Sequence, residues 1–113
     1  MARPNGGSRW WLSGALCGAL LLGAGAIAAD SPFDKDKLRS LVVQDCGSCH
    51  GLTLKGGLGK PLTPEHLAQW DRDQLTHIIL DGVPGTPMPP WRALLTEAEA
   101  RWIADTLKQG LLP

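Results

Sequence analysis

Cys46, Cys49 and His50 are the residues of this 113-residue chain best suited to chemistry, and they stand in one run, Cys46-Gly47-Ser48-Cys49-His50. The C-x-x-C-H pattern reads as a c-type haem attachment site. Two thiols at this spacing can each add across one haem vinyl group to form a thioether. The adjacent histidine then lies beneath the iron as its proximal ligand. A C-x-x-C pair alone also fits a redox dithiol or half of a zinc site. The dithiol requires a βαβ context, and no strand pattern precedes Cys46. Zinc requires about four ligands, and the only other cysteine, Cys17, lies in an apolar N-terminal segment.

A haem iron on His50 has one more axial position. Met88 is the only methionine beyond Met1, and it lies in Gly85-Thr86-Pro87-Met88-Pro89-Pro90-Trp91. Proline fixes φ and removes backbone donors, so this loop is expected to be stiff. A stiff loop can hold a thioether against iron at little entropic cost. The competing reading makes Met88 a flexible core filler. His66 and His77 are the other histidines, and either would give bis-histidine ligation in place of Met88. An open or displaceable sixth position would instead suit a gas-binding or peroxidatic haem protein.

The elements that must position these groups read as short helices joined by Gly/Pro loops. Ser31-Pro32 resembles an N-cap followed by proline at the first helical position. The run Phe33 to Gln44 then places Leu38, Leu41 and Val42 on one helical stripe leading into Cys46. Gly51 to Pro64 is a loop broken by Gly56, Gly57 and Gly59. Thr63-Pro64-Glu65 starts a helical turn through Trp70. Asp71 with Gln74 and Thr96 with Glu99 match capping boxes. They open helices carrying Leu75, Ile78 and Ile79, and Ile103 and Leu107, which Gly82 and Gly110 close. The fold class is all-α. Trp70, Trp91 and Trp102 are candidates for packing on the porphyrin or in the ordinary core.

Residues 1–29 read as a secretory signal peptide. Arg3 and Arg9 precede an apolar run from Trp10 to Ile27, and Ala26-Ile27-Ala28 fits the cleavage rule. An uncleaved membrane anchor is the competing reading. Cleavage leaves residues 30–113 as one monohaem domain in the periplasm, without a membrane segment. A domain of roughly 84 residues has a modest core, and the haem would act as its staple. The chain balances 11 Lys and Arg against 11 Asp and Glu. Losing Arg3 and Arg9 turns it slightly acidic, which disfavours nucleic acid as a partner. No acid–base pair or nucleophile stands out, so an electron-transfer protein is expected rather than an enzyme.

The order of helix, C-x-x-C-H, Gly-rich loop, short helices, methionine loop and last helix resembles the small class I cytochromes c. That resemblance implies short helices wrapped around one covalent haem c, with N- and C-terminal helices crossing near one haem edge. It implies His50 and Met88 as axial ligands of the iron. In that family a proline carbonyl often receives the ligand histidine's N–H, a role that falls on Pro61; the family commonly has Gly-Pro where this chain has Gly59-Lys60-Pro61. Trp91 is a further candidate haem contact. Three blocks, Cys46 to Gly59, Asp81 to Trp91 and Glu99 to Ile103, are similar to the NirC-type cytochromes encoded with the cd-type nitrite reductase of denitrifying bacteria. The likeness implies a periplasmic electron carrier whose redox partner is nitrite reductase or a protein of its d-type haem maturation.

Overall fold

The computed structural model describes residues 32–113; the signal-peptide reading of residues 1–29 and the Ser31 cap lie outside the described residues. Five α-helices and one π-helical segment make up the regular structure, and no strand occurs among the described residues. The fold is the all-α one expected.

Helix α1, Lys35–Leu41, is capped by Asp34, whose carboxylate accepts from the backbone of Asp36 and Lys37 at 3.0 Å each. The helix therefore begins after Asp34 rather than at Pro32. An aspartate that satisfies two orphan N–H groups defines the start better than a proline alone. The helix continues without a break into a π-helical segment, Val42–Cys46, closed by the Gly47 N–H donating to the Val42 carbonyl. A π turn holds an extra residue, so it changes which way the following side chains face, and such turns gather at functional sites. Helix α2, Gly47–His50, completes the C-x-x-C-H run and stops at Gly51, at φ 85°.

Helix α3, Pro64–Leu67, is capped by Thr63 and ends sooner than the turn through Trp70 expected from sequence. The Lys108 ammonium donates to the carbonyls of Leu67 and Trp70 and closes this end. A cation at a helix C-terminus also meets the negative end of the dipole. Helices α4, Arg72–Asp81, and α5, Glu97–Lys108, both open with the expected capping boxes.

Helices α4 and α5 pack against each other, and α3 packs on α5. Ala100 and Ala104 stand one turn apart on α5 and are fully buried, which permits close approach there. Leu38, Val42, Leu75, Leu80, Ile103 and Leu107 fill the core around them, each burial worth about 1.5–3 kcal/mol. The N-terminal segment reaches α5 through Phe33, edge-on to Trp102 at 6.1 Å between ring centroids. The Arg39 guanidinium lies 5.6 Å from the same indole and donates to the Leu111 carbonyl at 3.2 Å. Trp102 is thereby occupied as a packing residue between the first and last helices.

Candidate haem site

The site is built on the turn where the π segment passes into α2. Cys46 ends the π segment and is half-buried, whereas Cys49 is exposed on α2. Burial and the Asp45 charge push the Cys46 thiol up to about 11. It is a neutral S–H at ordinary pH. The Ser48 hydroxyl donates to the Asp45 carbonyl at 2.6 Å and pins the turn between the two thiols.

His50 is oriented by the loop that follows it. Its Nδ1 lies 2.6 Å from the Lys60 carbonyl oxygen. A carbonyl can only accept, so Nδ1 carries the proton and Nε2 keeps a free lone pair. A hydrogen bond of this kind fixes the tautomer and ring orientation of metal-ligating histidines. Nε2 is neither hydrogen-bonded nor enclosed. The carbonyl is that of Lys60, one residue before the Pro61 that the family resemblance pointed to. Pro61 acts on it indirectly, because a proline restricts the preceding residue to extended conformations.

The loop closes on this turn through backbone bonds. Gly59 N–H donates to the Cys49 carbonyl at 2.7 Å and Gly56 N–H to the His50 carbonyl at 2.8 Å. Leu54 is buried at φ 58°, and its carbonyl accepts from Leu62 N–H at 2.8 Å. Gly59 lies against the imidazole; a Cβ there would sit 2.8 Å from Nδ1 and 2.9 Å from Cε1. Gly59→Ala is therefore expected to push the ring off its carbonyl and cost about 1–3 kcal/mol. The check is thermal unfolding of the holoprotein together with its far-red absorption. Wild-type values for both would contradict the packing described.

Met88 is half-buried on the second loop, which is fastened to the end of α4. Its carbonyl accepts from Val83 N–H at 3.2 Å, and the Thr86 hydroxyl accepts from Met88 N–H at 3.3 Å. Trp91 and Arg92 N–H donate to the carbonyls of Ile79 and Leu80 at 3.2 and 3.1 Å. Arg92 Nε donates to the Asp81 carboxylate at 2.9 Å. Gly82, at φ 68°, is the point of closest approach, where a Cβ would lie 2.7 Å from the Met88 carbonyl. The expected stiffness therefore has two sources, the prolines and this backbone clasp.

The two other histidines lie on α3 and α4. The His66 Nε2 atom is enclosed by protein without a hydrogen-bond partner, and its ring packs on Trp70 at 5.8 Å. His77 lies on the exposed side of α4, its Nδ1 2.8 Å from the Asp73 carbonyl. Trp91 is half-buried against the core. No cluster of three or more His, Cys, Asp or Glu suited to a metal exists among the described residues, so a zinc site finds no ligand set. The two thiols with an adjacent, backbone-oriented imidazole fit the thioethers and iron of a c-type haem.

The relatives of the chain agree with this geometry. Residues 33–105 match the family described as cytochrome C oxidase, cbb3-type, subunit III. Cytochrome c55X of Paracoccus denitrificans is 58% identical over 78% of this chain and 87% of its own length. Cytochrome c55X of Stutzerimonas stutzeri is 45% identical over 85% of each. A solved c-type cytochrome NirC is 52% identical with a TM-score of 0.67, covering 69% of this chain and 93% of that one. The chain belongs to the small c-type cytochromes of the NirC type. Its cofactor is a covalently bound haem c with iron, and it is an electron carrier. The cytochrome also resembles part of a larger protein. The dihydro-heme d1 dehydrogenase of Pseudomonas aeruginosa is 38% identical over 80% of this chain but only 17% of its own length. A solved dihydro-heme d1 dehydrogenase NirN in complex with DHE matches with a TM-score of 0.59 at 35% identity, over 66% of this chain and 16% of that one.

Proposed function

We propose that the cytochrome is a periplasmic single-electron carrier of denitrification, exchanging electrons with cd-type nitrite reductase or with the enzymes that mature its d-type haem. In this reading Cys46 and Cys49 carry the thioethers, His50 is the proximal ligand and Met88 the distal one. When bound, the haem supplies a one-electron Fe(III)/Fe(II) couple. The protein supplies everything that tunes it. The Lys60 carbonyl keeps His50 in one tautomer and one orientation. The clasped loop brings a thioether, which favours Fe(II) and raises the potential. Signal-directed export through residues 1–29 would deliver the chain to the compartment where such cytochromes work. Among the described residues no helix is long and apolar enough to cross a membrane.

The observation that carries the ligand reading is the Nδ1 contact to Lys60, which leaves Nε2 as a free donor beside two thiols. Support for the partner comes from the likeness to a fraction of the dihydro-heme d1 dehydrogenase. A dehydrogenase must pass its electrons on, and a one-electron haem carrier would suit that acceptor role. The test is stopped-flow mixing of ferrous cytochrome with oxidised cd-type nitrite reductase, and of ferric cytochrome with dihydro-heme d1 dehydrogenase turning over its substrate. Electron transfer faster than turnover in at least one pairing is expected, with no spectral response of the ferrous form to carbon monoxide. Absence of transfer in both pairings would remove the proposed role, and a carbon monoxide complex would favour the gas-binding reading.

A further inference from the structure

The loop that carries Met88 hangs from a narrow neck. Its stems, Asp81–Gly82 and Trp91–Arg92, are tied across by Trp91 N–H to the Ile79 carbonyl, Arg92 N–H to the Leu80 carbonyl, and the Arg92 side chain to Asp81. Beyond the neck, the stretch Val83 to Pro90 bonds only to itself. Val83 N–H donates to the Met88 carbonyl and Met88 N–H to the Thr86 hydroxyl. The Thr86 N–H and hydroxyl both donate to the Val83 carbonyl. Among the described residues, no hydrogen bond joins residues 83–90 to the rest of the protein. A compact surface loop with its ends drawn together is an Ω-loop, a kind frequent at functional sites.

The lobe also lies lightly on the body. Residues 83–90 are all exposed except Met88, which is half-buried. A Cβ on Gly85 would meet nothing within 4 Å. The backbone of Met88, Pro89 and Pro90 rests on Gly82, which is buried at φ 68°. A small residue at the end of a helix can absorb the backbone change of a hinge. The tie across the neck is costly to place. Asp81 is the last residue of α4, so its charge faces the negative end of the helix dipole. Arg92 offsets that charge, its Nε and terminal amine donating to one carboxylate oxygen at 2.9 and 2.5 Å. The other ion pairs lie on α4 and α5, away from the lobe.

We propose that Val83 to Pro90 lifts from its neck as one rigid body in the ferric protein, opening the sixth coordination position to a small neutral imidazole-type ligand, and that Arg92 and Asp81 are positioning residues that set how often it lifts. This rests on Met88 as the distal ligand. Lifting costs none of the hydrogen bonds within the lobe, because donors and acceptors travel together. A thioether favours Fe(II), so the hold through Met88 is weakest on Fe(III), and imidazole is a ligand suited to iron. In the ferrous protein the stronger hold keeps the lobe down. Loss of the Arg92–Asp81 pair leaves the two stems joined by backbone bonds alone, and a looser neck releases the lobe more often.

The test follows the binding of neutral imidazole to the ferric holoprotein through loss of the far-red absorption. The observed rate is expected to rise with imidazole concentration and then level off at the rate of lifting. Asp81→Asn should raise that plateau about two- to fivefold, the span of an exposed ion pair. Salt that shortens the Debye length from about 10 Å to about 3 Å should raise the wild-type plateau likewise and leave that of Asp81→Asn unmoved. Arg101→Gln removes ion pairs elsewhere and should leave the plateau at the wild-type value. A plateau unchanged in Asp81→Asn, or raised as much by Arg101→Gln, overturns the positioning role. A rate that stays linear in imidazole means an open site and overturns the lifting lobe. In the imidazole-saturated protein the Val83 amide should stay protected from hydrogen exchange, since its Met88 acceptor moves with it; loss of that protection means local unfolding and overturns the rigid body. A wild type without far-red absorption would instead fail the Met88 reading. The neck is then decided by hydrogen exchange in Asp81→Asn, where the Trp91 and Arg92 amides should exchange faster than in wild type and Val83 should not; unchanged Trp91 and Arg92 rates would reject it.

Discussion

Met88→Ala is expected to abolish the weak far-red sulfur-to-iron absorption of the ferric cytochrome and to open the ferrous form to carbon monoxide. The potential should fall by on the order of 0.1–0.3 V, part of the about 0.8 V over which axial ligands set haem potentials. The direction follows from the thioether's preference for Fe(II), lost with the side chain. The loop itself should survive. Its clasp to α4 runs through backbone groups of Val83, Met88, Trp91 and Arg92 and through the Arg92–Asp81 pair, none of which needs the methionine side chain. Met88→His then serves as control: six-coordination should return while the potential stays low. Should Met88→Ala leave spectrum and potential at wild-type values, the ligand is another residue. His66 would then have to be freed from the enclosure around its Nε2, and His77 turned from the exposed side of α4.

Replacing both Cys46 and Cys49 by alanine is expected to lower holoprotein yield more than about tenfold. A domain this small buries too little apolar surface to be secure without its staple. The double variant should leave no haem on the polypeptide after acidified organic extraction, and its circular dichroism should show much reduced helix. Single variants keep one thioether and should retain haem through denaturing electrophoresis. A double variant that retains haem through the same treatment would contradict attachment at these residues.

Much of the framework is legible in local patterns. The capping boxes at Asp71–Gln74 and Thr96–Glu99 form as written, because each is a contact across three residues that the helix start itself brings together. The start of α1 is misread for the same kind of reason. Ser31-Pro32 is a plausible cap, but Asp34 is a better acceptor closer to the helix, and it wins both amides. Leu54, Leu67, Leu95 and Leu112 are core residues that no periodic stripe announces, since they lie in loops or very short helices. The π segment is equally silent in the sequence; nothing in Val42 to Cys46 distinguishes it from a continuing α-helix.

The sequence alone determined the chemistry of this protein: two thiols and an imidazole at fixed spacing, one methionine in a proline-rich loop, and helices whose ends are capped by their own residues. These are local facts, set by which atoms are covalently near one another. Tertiary structure decided what each group is free to do. It gave the His50 N–H to the Lys60 carbonyl rather than that of Pro61, because the path of the loop is set by where Gly59 can pass the ring. It occupied Trp102 with Phe33 and Arg39, and it enclosed the His66 Nε2.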